Sequence, residues 1–276
     1  MGSVARVLVT GGTGELGRAV VGRLLAAGEE VRVLSRRERP HVPPGVGVVR
    51  GDLVSGAGVA EAVAGVGIVV HCASNGRRSG DVEGTRRLVG AAAEAGVAHL
   101  AYISIVGADR NPFAYYRAKL EAEGIVAAGG VPWTILRATQ FHGLLWRVLR
   151  AQGRLPALLV PRGFRFQPID SSEVAARLVD LALGGPVGRA PDMGGPEART
   201  AEDLARAYLA AAGRRLPLLR VPVPGAVGRA FRVGAQLAPG HADGTITWDD
   251  YLRRRLDAGA PAQTGGMRPG ADMGRW

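Results

Sequence analysis

The 276-residue sequence predicts an α/β protein: a doubly wound parallel sheet with a smaller C-terminal α+β subdomain. Three observations carry that reading. Short β-branched runs alternate with amphipathic stretches through the first half of the chain, the pattern of successive βαβ units. A glycine-rich turn directly follows the first of those runs. Past Arg137 the alternation weakens, and Gly- and Pro-rich segments separate the remaining elements.

Taken in order, strands are predicted over Val4–Thr10, Glu30–Ser35, Val46–Arg50, Gly67–Ala73, Ala98–Val106 and Trp133–Arg137. After the first strand, Leu16, Val20, Val21, Leu24 and Leu25 recur at helical spacing, and Gly28 offers a C-cap. Val82–Ala95, closed by Gly96, gives a second helix. Asn111-Pro112 offers an N-cap and a proline at the first helical position for a third. Further helices are predicted over Phe141–Arg150, Ser172–Leu183, Thr200–Ala212 and Trp248–Leu256. The Ser172 helix is opened by Asp170 or Ser171 within Asp170-Ser171-Ser172-Glu173, which has the character of a capping box. Phe164–Ile169 and Leu216–Val223 read as strands, and Gly184–Pro196 as a loop with room for one short strand. Residues 1–140 are therefore expected to form the main sheet domain and 141–257 a subdomain closing over its crevice. Residues 258–276, dominated by Gly, Pro, Ala and Gln, read as a disordered tail.

Composition narrows the functional classes. The net charge of +11 is spread along the chain, +4 up to Arg137 and +7 beyond it, and no helix-turn-helix, zinc or aromatic-rich pattern accompanies it. Nucleic acid is therefore not the expected partner. A single cysteine, Cys72, excludes an intramolecular disulfide framework and a multi-cysteine metal site, and its apolar surroundings suit a core residue. No apolar run reaches the length of a membrane span, and the N-terminus runs directly into a strand. The expectation is a soluble cytoplasmic protein without a resident metal. Its oligomeric state is not readable from the pattern.

The turn after the first strand is Thr10-Gly11-Gly12-Thr13-Gly14-Glu15-Leu16-Gly17, with glycines at 11, 14 and 17. Glycine serves such a turn where φ is positive, where backbone approaches a pyrophosphate, and where helix packs closely on strand. The following helix presents free N–H groups and the positive end of its dipole to the phosphates. In this strand–turn–helix context the motif predicts a Rossmann-like dinucleotide site formed by Gly11, Thr13, Gly14, Glu15, Leu16 and Gly17. The end of the second strand decides which dinucleotide. An acidic residue there would hold a free ribose 2′-hydroxyl; here Ser35-Arg36-Arg37 stands instead, with no carboxylate before Glu38. A guanidinium at Arg36 can clamp a 2′-phosphate, so NADP(H) is favoured over NAD(H).

Lys119 is the chain's one lysine, although Lys and Arg together number 35. It lies four residues after Tyr115, a spacing that puts both side chains on one helix face. With five tyrosines in 276 positions, a lysine placed at random would fall there about 5 times in 276. The site prefers a compact ammonium to the wide planar fork of arginine. The ammonium favours the phenolate form of a neighbouring tyrosine. Tyr116, at i+3, shares that face, so either phenol could be the acid/base.

With these residues in place, the sequence resembles the atypical short-chain dehydrogenase/reductases, in particular the NmrA-like, isoflavone-reductase-like branch that binds NAD(P)H. The resemblance rests on the glycine motif, Gly51-Asp52-Leu53, Val70-His71-Cys72-Ala73-Ser74, Tyr115-x-x-x-Lys119 and Leu136-Arg137-Ala138-Thr139-Gln140-Phe141. It implies that Asp52 and Leu53 contact the adenine and that Ala73 and Ser74 line the path to the nicotinamide. It implies also that Tyr115 is the acid/base, that Lys119 holds the nicotinamide ribose, and that Ser104 orients the reacting oxygen. Read without the family, Asp52 is equally a turn or helix-capping residue, and His142, near the substrate space, reads as structural. The expected function is an NADP(H)-dependent oxidoreductase acting on a carbonyl, imine or activated double bond of a small, hydrophobic molecule. A catalytically silent cofactor-sensing regulator and a sugar-nucleotide epimerase or dehydratase are the alternatives. Phe141, Leu144, Leu145, Trp146 and Phe164 would suit a hydrophobic ligand, and equally a packed core.

Overall fold

The computed structural model describes residues 5–74 and 78–257. The first sheet-forming half runs β1 (Arg6–Thr10), α1 (Glu15–Ala26), β2 (Glu30–Ser35), β3 (Gly47–Arg50), α2 (Val59–Val63), β4 (Ile68–His71), α3 (Arg78–Glu94), β5 (His99–Ile105), α4 (Ala114–Ala128) and β6 (Trp133–Ala138). The rest comprises α5 (His142–Ala151), β7 (Leu158–Pro161), β8 (Arg165–Phe166), α6 (Ser171–Leu183), β9 (Gly188–Arg189), β10 (Arg199–Thr200), α7 (Ala201–Ala211), β11 (Leu218–Val221), α8 (Gly225–Arg232) and α9 (Trp248–Asp257). The expected tail at 258–276 lies outside the described residues, as does Val4 at the head of the first predicted strand.

Seven strands form one sheet in the order β3-β2-β1-β4-β5-β6-β9, and every neighbouring pair is parallel. Both faces are buried, as a parallel sheet requires. Val7 and Val9 pack with Val20, Val21 and Leu24 of α1 and with Val174 and Leu178 of α6 on one side. Leu8 and Val69 pack with Leu88 of α3 and Val126 of α4 on the other. Two elements beyond residue 140, α6 and β9, thus return to the main layer. The remaining C-terminal elements bury a separate cluster around Trp146, Leu158, Leu204, Tyr208 and Trp248. Beside it lie the parallel pair β7/β11 and the antiparallel pair β8/β10.

Strand order reverses between β1 and β4, so the loops after these two strands diverge and leave a crevice at their carboxyl ends. Several local expectations are corrected. Helix α4 begins at Ala114 behind Phe113, not at Pro112, because Asn111 spends its side-chain oxygen on the Phe113 N–H at 3.1 Å, closing a turn of its own. The strand expected over Phe164–Ile169 shrinks to Arg165–Phe166. Gln167 accepts Thr139 Oγ1 on its carbonyl, its side chain bonds Gly195 and Ala238, and Pro168 has no N–H for a ladder. Asp170 caps α6 by accepting the Ser172 N–H at 2.8 Å, as its sequence suggested.

Candidate active site

The glycine turn shapes one end of the crevice. Gly11 has φ +71°, and a Cβ there would lie 2.8 Å from the Ala73 backbone, so the loops after β1 and β4 touch through a bare Cα. A Cβ on Gly17 would collide with the Gly11 carbonyl, which fixes how closely α1 approaches the turn. Gly14 N–H bonds the Gly11 carbonyl at 2.9 Å and the helix starts behind it. The first N–H groups of α1 therefore face the crevice without intrahelical partners.

A cleft of about 330 Å³ follows, lined by Thr10, Gly11, Thr13 and Gly14, by Ser35, Arg36 and Arg37 after β2, by Asp52 and Leu53 after β3, and by His71 to Ser74 after β4. Eight of the twelve expected cofactor-binding residues line it. Leu16 is buried in the core beneath the loop, and the Glu15 carboxylate is engaged by Arg147 Nη1 at 2.7 Å and lies against Gly143. These two, like Gly17 and Lys119, are not among the residues that line it. Asp52 Oδ1 accepts the Val54 N–H at 2.9 Å, so its turn-forming role is realised alongside its place in the wall. Asp81, Gly84 and Thr85 of α3 also line the cleft, and Ser74 donates to Asp81 Oδ2 at 2.7 Å. Asp81 is a wall residue beyond those expected from the sequence; its signal there is a lone carboxylate in the first turn of a helix that starts beside the cleft.

Lys119 and the two tyrosines sit on α4, which packs over the sheet face that carries Tyr102 and Ser104. Alternation along β5 puts those two residues on one face. Lys119 is buried, and its ammonium donates to Tyr102 Oη and to the Ile103 carbonyl, both at 3.1 Å. Burial opposes the charge, but the phenols of Tyr102 and Tyr115 and the carboxylate of Asp81 outweigh it and raise the lysine above its ordinary value. Lys119 remains an ammonium.

The two candidate phenols have different surroundings. Tyr116 is buried, receives a hydrogen bond from Gln140 Nε2 at 3.3 Å and meets Phe231 edge-on at 5.9 Å. Burial pushes its phenol up to about 12. Tyr115 is half-buried. Ser104 Oγ is buried and has no partner among the described residues. A serine hydroxyl left unpaired inside a protein costs free energy unless a ligand completes it.

The remaining candidates are structural. His142 donates Nε2–H to the Ile246 carbonyl at 3.0 Å and packs against the rings of Trp248 and Tyr251. Trp146 and Phe164 belong to the C-terminal core, whereas Leu144 is exposed. His71 is fully enclosed, and burial, with Lys119 nearby, depresses its pKa to about 3. Burial raises the Cys72 thiol to about 12, so it stays protonated. No helix among the described residues is long and apolar enough to cross a membrane.

Comparison with known proteins agrees with this geometry. Residues 11–143 match a family model described as NAD(P)H-binding. The (4-alkanoyl-5-oxo-2,5-dihydrofuran-3-yl)methyl phosphate reductase of Streptomyces griseus is 37% identical over 205 residues, covering 71% of this chain and 70% of its own. Among solved structures, the NADPH-dependent quinone oxidoreductase of Escherichia coli, complexed with NADPH, superposes with a TM-score of 0.76 at 19% identity. That match covers 91% of this chain and 99% of the other. A nucleoside-diphosphate-sugar epimerase of Staphylococcus aureus gives 0.75 at 20% identity, over 90% and 99% of the two chains. At such identities the two structures speak for the fold alone.

Proposed function

From the premise that this chain belongs to the NAD(P)H-binding atypical short-chain dehydrogenase/reductases and is an NAD(P)-dependent oxidoreductase, we propose that it is an NADP(H)-dependent reductase. Its substrate is a small, largely apolar molecule bearing a double bond conjugated to a carbonyl, or the carbonyl itself. The observation that carries this reading is Lys119: the chain's only lysine lies buried on α4, one turn from the half-buried Tyr115 and over the strand face that bears the unpaired Ser104 Oγ.

The cleft fits the cofactor. Its glycines leave room for a pyrophosphate at the α1 N-terminus, and Arg36 and Arg37 stand exposed at the rim where a 2′-phosphate would lie. Asp52 and Leu53 form the wall suited to the adenine, and Ala73 with Ser74 the wall leading inward. When bound, the reduced nicotinamide supplies a hydride. The protein's part is to manage the charge that collects on the substrate oxygen. Ser104 donates a hydrogen bond to that oxygen, and Tyr115 delivers a proton to it. Lys119 makes the proton easier to give up by favouring the phenolate left behind. Tyr116, Phe231 and the exposed Phe113 provide apolar surface on the same side. The Streptomyces griseus relative is named for an alkanoyl-bearing oxo-dihydrofuranyl methyl phosphate, whose ring supports an activated double bond as the reducible unit.

The test is to follow NADPH consumption with a panel of unsaturated ketones, unsaturated lactones and quinones. Wild type should turn over at least one class, and Tyr115→Phe should lose about 100-fold or more in kcat while binding NADPH as before. Tyr116→Phe should stay within a few fold of wild type. Equal turnover by wild type and Tyr115→Phe would remove the tyrosine from the mechanism.

A further inference from the structure

An ammonium has three N–H donors, and in Lys119 two are already assigned within the protein. One goes to Tyr102 Oη and one to the Ile103 carbonyl, each at 3.1 Å. The charge also stands 4.7 Å from the centre of the Tyr102 ring. Tyr102 itself is held against a fixed plate. Its ring stacks on His71 with centroids 5.1 Å apart. His71 is pinned at both nitrogens, by Thr10 Oγ1 at 2.7 Å and Thr85 Oγ1 at 3.0 Å. Thr85 gives its own proton to the Asp81 carbonyl at 2.7 Å, so it must accept from His71 Nε2–H. Nδ1 is then the acceptor of the Thr10 hydroxyl, and the imidazole is neutral with a single tautomer.

We propose that Tyr102 is the positioning residue of Lys119: with the Ile103 carbonyl it fixes the ammonium so that one N–H remains for the ribose and Tyr115 side of the site. The inference rests on the reading of Tyr115 and Lys119 as the reductase pair. It also accounts for lysine where every other basic residue is arginine. Two acceptors from adjacent residues of one strand converge on a point charge, and a planar guanidinium would force them apart. The groups facing the ammonium are Tyr115 from α4, Tyr102 from β5, Asp81 from α3, and His71 and Cys72 at the end of β4. With the imidazole neutral and the thiol protonated, Tyr102 is the group among these that both touches the ammonium and accepts a hydrogen bond from it.

Because the chain has one lysine, the full-length protein labelled with 15Nζ-lysine gives a single side-chain ammonium signal. In wild type that signal should stay visible at neutral pH, with slowly exchanging protons and a nuclear Overhauser contact to the Tyr102 ring. Tyr102→Phe keeps the ring, the stack on His71 and the cation–ring contact, and removes only the acceptor. Exchange should then accelerate about tenfold and NADPH should bind about tenfold more weakly. Removing the acceptor thus moves both the exchange rate and the NADPH affinity. A side chain that merely packs would lower the melting temperature and move neither signal. Wild-type exchange as fast as that of a free lysine would overturn the proposal, even if the variant does not fold. So would a Tyr102→Phe protein with unchanged exchange and NADPH affinity. If wild type binds no NADPH, the reductase reading fails, while the ammonium spectrum still decides the role of Tyr102.

Discussion

Removing the Glu123 carboxylate should unfold this protein more readily than any change at its surface. Arg137 on β6 donates Nε and Nη2 to the two oxygens of Glu123 on α4, at 2.7 and 2.6 Å. Its Nη1 donates to Asp109 in the loop after β5 at 2.9 Å. The first pair is buried, with side chains 7% and 9% exposed, whereas Asp109 is 52% exposed. Partial burial pushes the Asp109 carboxyl up, and Arg137 outweighs that and holds it below the usual range. Breaking a buried pair by deleting one partner leaves a buried charge uncompensated and costs about 3–5 kcal/mol. An exposed partner contributes about 0–1 kcal/mol. Glu123→Gln should therefore lower the melting temperature by roughly 6–20 °C for a chain of this size, and Asp109→Asn by only a few degrees. Circular dichroism melts give both numbers. The double variant Arg137→Met with Glu123→Leu removes the charge with its partner and should recover a large part of the loss. Glu123 is one turn beyond Lys119, so the same clasp ties α4 to β6 beside the lysine. Equal, small losses for Glu123→Gln and Asp109→Asn would mean that the Glu123–Arg137 pair is no more costly to break than an exposed one.

Other outcomes follow from the same coordinates. Arg36→Ala should weaken NADPH by about 10–100-fold, the range of one or two charge-assisted hydrogen bonds, and leave NADH unchanged in a calorimetric titration. Gly17→Ala should abolish binding of either nucleotide, since a Cβ there displaces α1 from the Gly11 carbonyl; binding within a few fold of wild type would show that the turn adapts. Acid should destabilise the fold before ordinary carboxylates titrate. His71 is neutral when folded down to about pH 3, whereas in the unfolded chain it takes a proton below about 6.5. Stability is thus complete above about 6.5 and falls with pH by up to about 1.4 kcal/mol per unit. His99 and His142, lowered first by burial, add to the same slope. Urea unfolding between pH 7 and about 5 should show it, and a flat profile would mean that these histidines are not buried as neutral bases.

The parallel sheet was legible because each strand is a run of branched residues between turn signals, and β2 was read to the residue. The glycine spacing and the Tyr-Lys pair were legible because their chemistry is local to one turn and one helix face. Short pieces escaped. β7, a four-residue apolar run ending in Pro161, gains its partner β11 only from 57 or more residues away in sequence. β10 has two residues and exists through pairing alone, whereas the equally short β9 falls in the loop where room for one short strand was expected. The contrast between the surroundings of Tyr115 and Tyr116 was not local either. It depends on Phe231 and Gln140, which only the fold brings to Tyr116. Tyr102 was invisible for the same reason: a tyrosine in a buried strand reads as core, and its contact with Lys119 requires α4 to lie over β5.

The proposed function requires that this cleft take NADP(H) and place it beside Lys119. Calorimetric titration of NADPH into the full chain, repeated with NADH and with Lys119→Met, tests it most directly. The expected result is one NADPH per chain, bound more tightly than NADH and weakened in Lys119→Met. No binding of NADPH, or binding that Lys119→Met leaves intact, would contradict it.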